Sequence, residues 1–124
     1  MTYEEIVTTT RDHFKTLDTS NAGIEHLAIQ VDILGEGEGA FYIEICGDKV
    51  NIEPYEYYDR DVKFIATADD FMKIAYGSLN PVFAFTTGRL QVEGNIDKAL
   101  LFQKIVEKPK KKKKAKAKAK KVTA

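Results

Sequence analysis

The residues whose chemistry could drive a reaction are few, and their spacing argues against most reactions. His13 and His26 are the two histidines, and neither falls in a helical metal spacing such as H-E-x-x-H. His13 reads as a helix-surface residue, and His26 sits on the polar phase at the start of a strand. The single cysteine, Cys46, can form neither an internal disulfide framework nor a multi-cysteine metal site. No base stands beside it in sequence to activate the thiol, so it reads as a small residue at a strand end. Ser20 and Ser78 are the two serines, and neither lies in the G-x-S-x-G turn that exposes a nucleophile. Close carboxylates occur at Glu36 and Glu38, Asp59 and Asp61, and Asp69 and Asp70, but 19 acids in 124 residues produce such pairs by composition alone. None is singled out for acid–base work. Gly35-Glu-Gly-Glu-Gly39 has glycine enough to cradle a phosphate. It lacks the G-x-G-x-x-G spacing, joins two strand-like segments instead of opening a helix, and carries carboxylates that repel phosphate. A hairpin connection is the better reading. The expectation is a protein that is not an enzyme, with no catalytic residues, no metal and no cofactor.

Charge is distributed unevenly. There are 19 basic and 19 acidic residues, for a formal net charge of zero. Ten of the lysines lie from Lys108 onward with no acid among them. Residues 1–107 therefore carry about −10 and residues 108–124 about +10. The lysine run, interrupted by Pro109 and alternating with alanine, repels itself and buries nothing, so a disordered basic tail is expected over 108–124. Pro109 is expected to end the helix before it. No apolar run approaches the roughly 20 residues of a spanning helix, and MTYEEIVTTTRD places acids where a signal peptide needs a basic region followed by an apolar stretch. A soluble, cytoplasmic protein with one domain over 1–107 is expected.

The elements that would position these residues follow from periodicity. Residues 3–17 read as an amphipathic helix with Thr2 as N-cap and Glu5 completing a capping box. From Ile24 the period becomes two: Leu27, Ile29, Val31 and Ile33 alternate with polar or small residues, as do Phe41, Ile43 and Ile45. Residues 49–53 and 62–66 add two further strands. Short turns between strands suggest an antiparallel meander. The tyrosine-rich loop 55–61 reads as an ordinary packed loop, with Tyr55, Tyr57 and Tyr58 at a cavity mouth as the sharper alternative. Helical spacing returns after Thr67, with Asp69 and Asp70 in the first turn and Gly77 as a stop. Asn80-Pro81 caps and starts a short apolar helix, residues 89–93 form a fifth strand, and 96–107 a last helix. The class is α+β. The late helices carry more apolar surface than one face needs, which fits either a filled core or an apolar cavity. Cavity walls and core faces share the same periodicity.

The stretch Gly77-Ser-Leu-Asn-Pro-Val-Phe-Ala-Phe-Thr-Thr-Gly-Arg-Leu-Gln-Val-Glu-Gly94 resembles the hallmark of the sterol carrier protein 2 family. The matching positions are Gly77, Leu79, Asn80, Pro81, Ala84, Phe85, Gly88, Arg89, Leu90, Gly94 and Asn95. The resemblance implies a five-stranded antiparallel sheet with helices packed on one face around an apolar cavity. It also implies non-catalytic binding, and transfer, of a sterol, fatty acyl chain, acyl-CoA or phospholipid. Phe71, Ile74, Phe83, Phe85, Leu100 and Phe102, chosen by apolar phase and position in this region, are the candidate ligand-binding residues. The lysine tail lies outside the family pattern. An anionic membrane surface is its expected partner, with nucleic acid or the ribosome as an equal competing reading and a solubility tail folded back onto the acidic body as the blander one. A lipid-presenting subunit for a separate enzyme is a further alternative. The chain ends Val122-Thr-Ala124 and not in a Ser-Lys-Leu-type signal, so peroxisomal delivery is not expected.

Overall fold

A computed structural model of the chain describes residues 1–17, 19 and 24–115, with side chains to residue 106. The elements run α1 (Tyr3–Phe14), β1 (Leu27–Leu34), β2 (Gly39–Cys46), β3 (Lys49–Glu53), β4 (Val62–Thr67), α2 (Ala68–Ala75), α3 (Pro81–Thr86), β5 (Gln91–Gly94) and α4 (Ile96–Ala115). This is the expected α+β order. Each of the first three helices starts on a side chain that accepts from otherwise unpaired backbone donors. Thr2 Oγ1 accepts from the Glu5 N–H at 3.1 Å while the Thr2 N–H donates to Glu5 Oε1 at 2.8 Å. Thr67 accepts from the Asp70 N–H, and Asn80 Oδ1 from the N–H groups of Val82 and Phe83. α1 is shorter than the expected 3–17. After Phe14 the chain tightens, with the Thr16 N–H donating to the His13 carbonyl at 3.0 Å, although Leu17 still reaches the core.

The strands form one sheet in the order β3-β2-β1-β4-β5. Three neighbouring pairs are antiparallel. β1 and β4 are parallel, from Ile29 opposite Val62 to Leu34 opposite Thr67, which corrects the expectation of a wholly antiparallel meander. Alternation fixes which face a residue takes but not the direction of its strand. Direction is set by the connection. Glu53, Tyr42, Gln30 and Lys63 fall in one row across the sheet, so the loop 54–61 leaves β3 at the level where β4 begins and crosses the sheet without reversing it.

That crossing loop also buries part of the expected polar face. Ala28 and Gln30 are buried although their phase is outward. The Tyr57 N–H donates to Gln30 Oε1 at 3.2 Å, and the Ala28 N–H to Asp61 Oδ2 at 2.8 Å. The Tyr57 ring stands edge-on to Tyr42, its hydroxyl donating to Glu44 at 3.0 Å. The tyrosine loop is therefore packed on the face turned away from the helices, with Tyr55 and Tyr58 exposed.

The opposite face carries the core. Leu27, Ile29, Val31, Ile33, Phe41, Ile43 and Ile45 are buried there beneath the helices. Phe71 of α2 meets Phe41 edge-on, and Phe102 of α4 fits between Phe14 of α1 and Phe64 of β4. α4 continues to Ala115, through Pro109, giving helix where the sequence places a helix end at 107 and the start of a disordered tail. Lysine and alanine both propagate a helix well, and Pro109 removes one backbone donor without stopping it here. The remainder of the tail, 116–124, lies outside the described residues.

Candidate functional site: an apolar cavity at the sheet edge

The site is assembled by the stretch from Asn80 to Gln103. Asn80 and Pro81 fix the entry of α3. At its end the N–H groups of Arg89 and Leu90 both donate to the Ala84 carbonyl, at 2.8 and 3.1 Å, and Gly88 supplies the positive φ of 82° that this reversal needs. The reversal tucks Leu90 beneath α3 and leads directly into β5, which places Val92 opposite Phe64. Asn95 then starts α4, accepting from the Lys98 N–H.

Between α3, the β4–β5 edge and the first two turns of α4 lies a cavity of about 330 Å³, at the lower end of the roughly 300–1,000 Å³ typical of ligand sites. Its floor is Phe64, Leu90 and Val92. Pro81, Val82 and Phe85 form the α3 wall, and Ile96, Ala99 and Leu100 the α4 wall. Thr86 and Gln103 complete the lining, and the Thr86 hydroxyl donates back to the carbonyls of Val82 and Phe83. No lining residue is ionisable. Phe64 and Leu90 are almost fully buried, whereas Val82, Phe85, Ile96 and Leu100 are 46%, 49%, 50% and 43% exposed. The cavity therefore has a dry floor and an apolar rim open to solvent between α3 and α4. Such a space suits a hydrocarbon body, and its lining offers no ionisable acid or base.

The six residues singled out from sequence separate here. Phe85 and Leu100 stand in the wall. Phe71, Ile74 and Phe102 are fully buried in the core and do not line the cavity. Phe83 is 55% exposed and also lies outside the lining. Sequence reasoning passed over Leu90, Val92, Ile96 and Ala99. The signal for the α4 wall is the spacing of Ile96, Ala99, Leu100 and Gln103, one stripe at i, i+3, i+4 and i+7.

Two polar contacts outside the cavity lining tie α2 to its neighbours. Arg89 donates from Nε and Nη2 to Asp70 Oδ1, at 3.2 and 2.8 Å, joining the turn after α3 to α2. The hydrogen bond and charge of Asp70 raise the Arg89 pKa. His13 is half-buried and not free on a helix surface. Its Nε2–H donates to the Ala75 carbonyl at 2.8 Å and its ring stacks on Tyr76 at 3.9 Å, joining α1 to the end of α2. Burial lowers its pKa, opposed in part by the bond to Ala75.

Residues 11–107 match the model of the SCP-2 sterol transfer family. Sterol carrier protein 2 of Arabidopsis thaliana is 32% identical over 90 residues, covering 68% of this chain and 73% of that protein. Hydroxysteroid dehydrogenase-like protein 2 of Bos taurus is 32% identical over 78 residues, covering 62% of this chain and 19% of that protein. The chain thus spans about a fifth of that longer relative. The solution structure of palmitated SCP2L2 from Aedes aegypti shares the fold, with a TM-score of 0.61 at 17% identity, covering 86% of this chain and 95% of that one.

Proposed function

This chain belongs to the SCP-2 sterol transfer family, and from that premise we propose that it binds a hydrophobic ligand without catalysis and carries it between membranes. The ligand class is a sterol, fatty acyl chain, acyl-CoA or phospholipid, held by its apolar part. One observation carries the reading: the cavity between α3, α4 and the sheet edge is walled by apolar side chains with no ionisable group among them. The palmitated state of the Aedes aegypti protein supports an acyl chain as ligand. Each methylene moved from water to such a wall contributes about 0.8 kcal/mol, so affinity rises with chain length until the cavity is full. Phe85 and Leu100 hold the chain at the rim, and Leu90 and Val92 meet its end.

Native mass spectrometry of the purified full-length chain, followed by lipid extraction, tests this reading together with titration by a fluorescent fatty acid. A one-to-one adduct and saturable uptake are expected. Ala99→Trp, which projects an indole into the cavity, lowers uptake at least tenfold with an unchanged circular dichroism spectrum. Adduct-free protein that also takes up no fatty acid overturns the reading. Kinship with a hydroxysteroid dehydrogenase-like protein of greater length favours a second setting for the same binding, in which the loaded domain presents its lipid to a separate enzyme.

The lysine-rich segment contacts anionic membrane in this reading. Support comes from the charge segregation of the chain and from the rim, whose half-exposed Val82, Phe85, Ile96 and Leu100 suit a bilayer interface better than water.

A further inference from the structure

A cluster of donor atoms lies on the sheet face away from the lipid cavity and plays no part in that reading. Leu27 pairs with Ile45 across β1 and β2, and both side chains enter the core. One rung further, His26 and Cys46 therefore turn to the other face, and Glu44, two residues before Cys46 in the same strand, shares it. A ring nitrogen of His26, a carboxylate oxygen of Glu44 and the Sγ of Cys46 all lie within 4.8 Å of one another. We propose that His26, Glu44 and Cys46 form a three-ligand site for a divalent late transition metal of the zinc class, with a fourth position open to water.

The donor set is one imidazole, one carboxylate and one thiolate, a mixture that suits zinc and its neighbours in the series and not calcium or magnesium. Zinc bonds of about 2.0–2.3 Å set tetrahedral donors roughly 3.3–3.8 Å apart. His26 Nε2 and Glu44 Oε2 are already 2.8 Å apart, so the ion enters by spreading that pair slightly and drawing in Sγ. His26 and Cys46 are exposed, and Glu44 is partly so, which leaves the ion a path from solvent and the side chains room to rotate. In the apo state a proton joins His26 Nε2 to Glu44. On binding, the ion takes that position, the Nε2 proton exchanges through water to Nδ1 so that the ring ligates through Nε2, and the Cys46 thiol releases its proton to water. Tyr57 braces the carboxylate, its hydroxyl donating at 3.0 Å to the same Oε2 that faces His26, the kind of outer contact that positions a ligand. The histidine–glutamate bond alone requires no thiol nearby. Cys46 is what turns a polar pair into a chelating triad, and it fastens the residue before β1 to the end of β2.

The test is titration of the reduced full-length chain with Co²⁺, followed by displacement with Zn²⁺. A thiolate-to-cobalt absorption band that saturates at one equivalent and disappears on adding zinc is expected. Cys46→Ser removes the band. His26→Gln and Glu44→Gln each weaken binding at least tenfold, and His13→Gln leaves it unchanged. Circular dichroism confirms that each variant is folded. Absence of the band at one equivalent overturns the proposal. So does a band of undiminished affinity in both His26→Gln and Glu44→Gln, which assigns the metal to the thiol alone.

Discussion

His13 shows how one side chain couples packing to pH. Its ring lies against Tyr76, and its Nε2–H donates to the Ala75 carbonyl, a bond that only partly offsets the burial disfavouring the charged ring. Burial holds its folded pKa below the ordinary value of about 6.5. As pH falls below that value the unfolded chain takes up a proton before the folded one does. The contribution of His13 to stability is therefore complete above about pH 6.5 and is lost as pH drops through the lower folded pKa. The urea midpoint should decrease between about pH 7 and about pH 5, and His13→Gln should flatten that decrease. An identical slope in the variant would remove His13 from the account. Gly39 makes a different residue-scale demand. It takes φ of 153°, and a Cβ there would stand 2.6 Å from the Tyr3 ring, whose hydroxyl donates to the Ala40 carbonyl. Gly39→Ala is expected to lose about 1–3 kcal/mol of unfolding free energy, read by urea denaturation, through displacement of α1 from the hairpin.

At the scale of elements, the aromatic residues of the late helices divide into two roles that denaturation can separate. Phe102 is fully buried against Phe14 and Phe64, so Phe102→Ala should destabilise the fold by about 3–5 kcal/mol. Phe83, more than half exposed, should tolerate alanine within about 0.5 kcal/mol. Equal losses would mean that α3 is packed more tightly than its exposure shows. The same contrast shows how far the sequence could be read. The caps at Thr2 and Asn80 were legible because each acts on donors two or three residues away, whereas the sequence leaves the start of α2 open between Thr67 and Ala68. The inward phase of Leu27 to Ile33 and of Phe41 to Ile45 was legible because period two leaves one choice. Strand direction was not, because it depends on where the loop 54–61 re-enters the sheet. That loop also buries Gln30, whose phase alone reads as solvent-facing. The cavity was legible only as a region. Helical phase turns both Phe85 and Phe102 inward but cannot tell whether the space opposite is filled by Phe14 and Phe64 or left open.

At the scale of the whole molecule, the governing fact is that a body near −10 is joined to a segment near +10. The two parts respond oppositely to an anionic surface. Lysines near such a surface contribute roughly 1 kcal/mol each, so engagement of about half of the ten lysines supplies about 5 kcal/mol, while the acidic body is held back by repulsion. The attraction acts over about a Debye length, near 10 Å at 0.1 M salt, and weakens as salt is added. α4 joins the two parts: its first turns wall the cavity, and its later turns run into the lysine segment. In the proposed reading, contact through the lysines would hold the cavity rim close to the bilayer without burying the body. Co-sedimentation should show the full-length chain pelleting with phosphatidylserine-containing vesicles at low salt, and not with neutral vesicles. Raising the salt should release it. Replacing the lysines at 110–114 by glutamine should reduce pelleting while leaving fatty-acid uptake in free solution unchanged, because no cavity-lining residue is altered. Undiminished pelleting of that variant would remove the lysine segment from membrane contact. Retention on RNA with steep salt dependence, and no retention on vesicles, would assign the segment to nucleic acid and leave the cavity to load by diffusion.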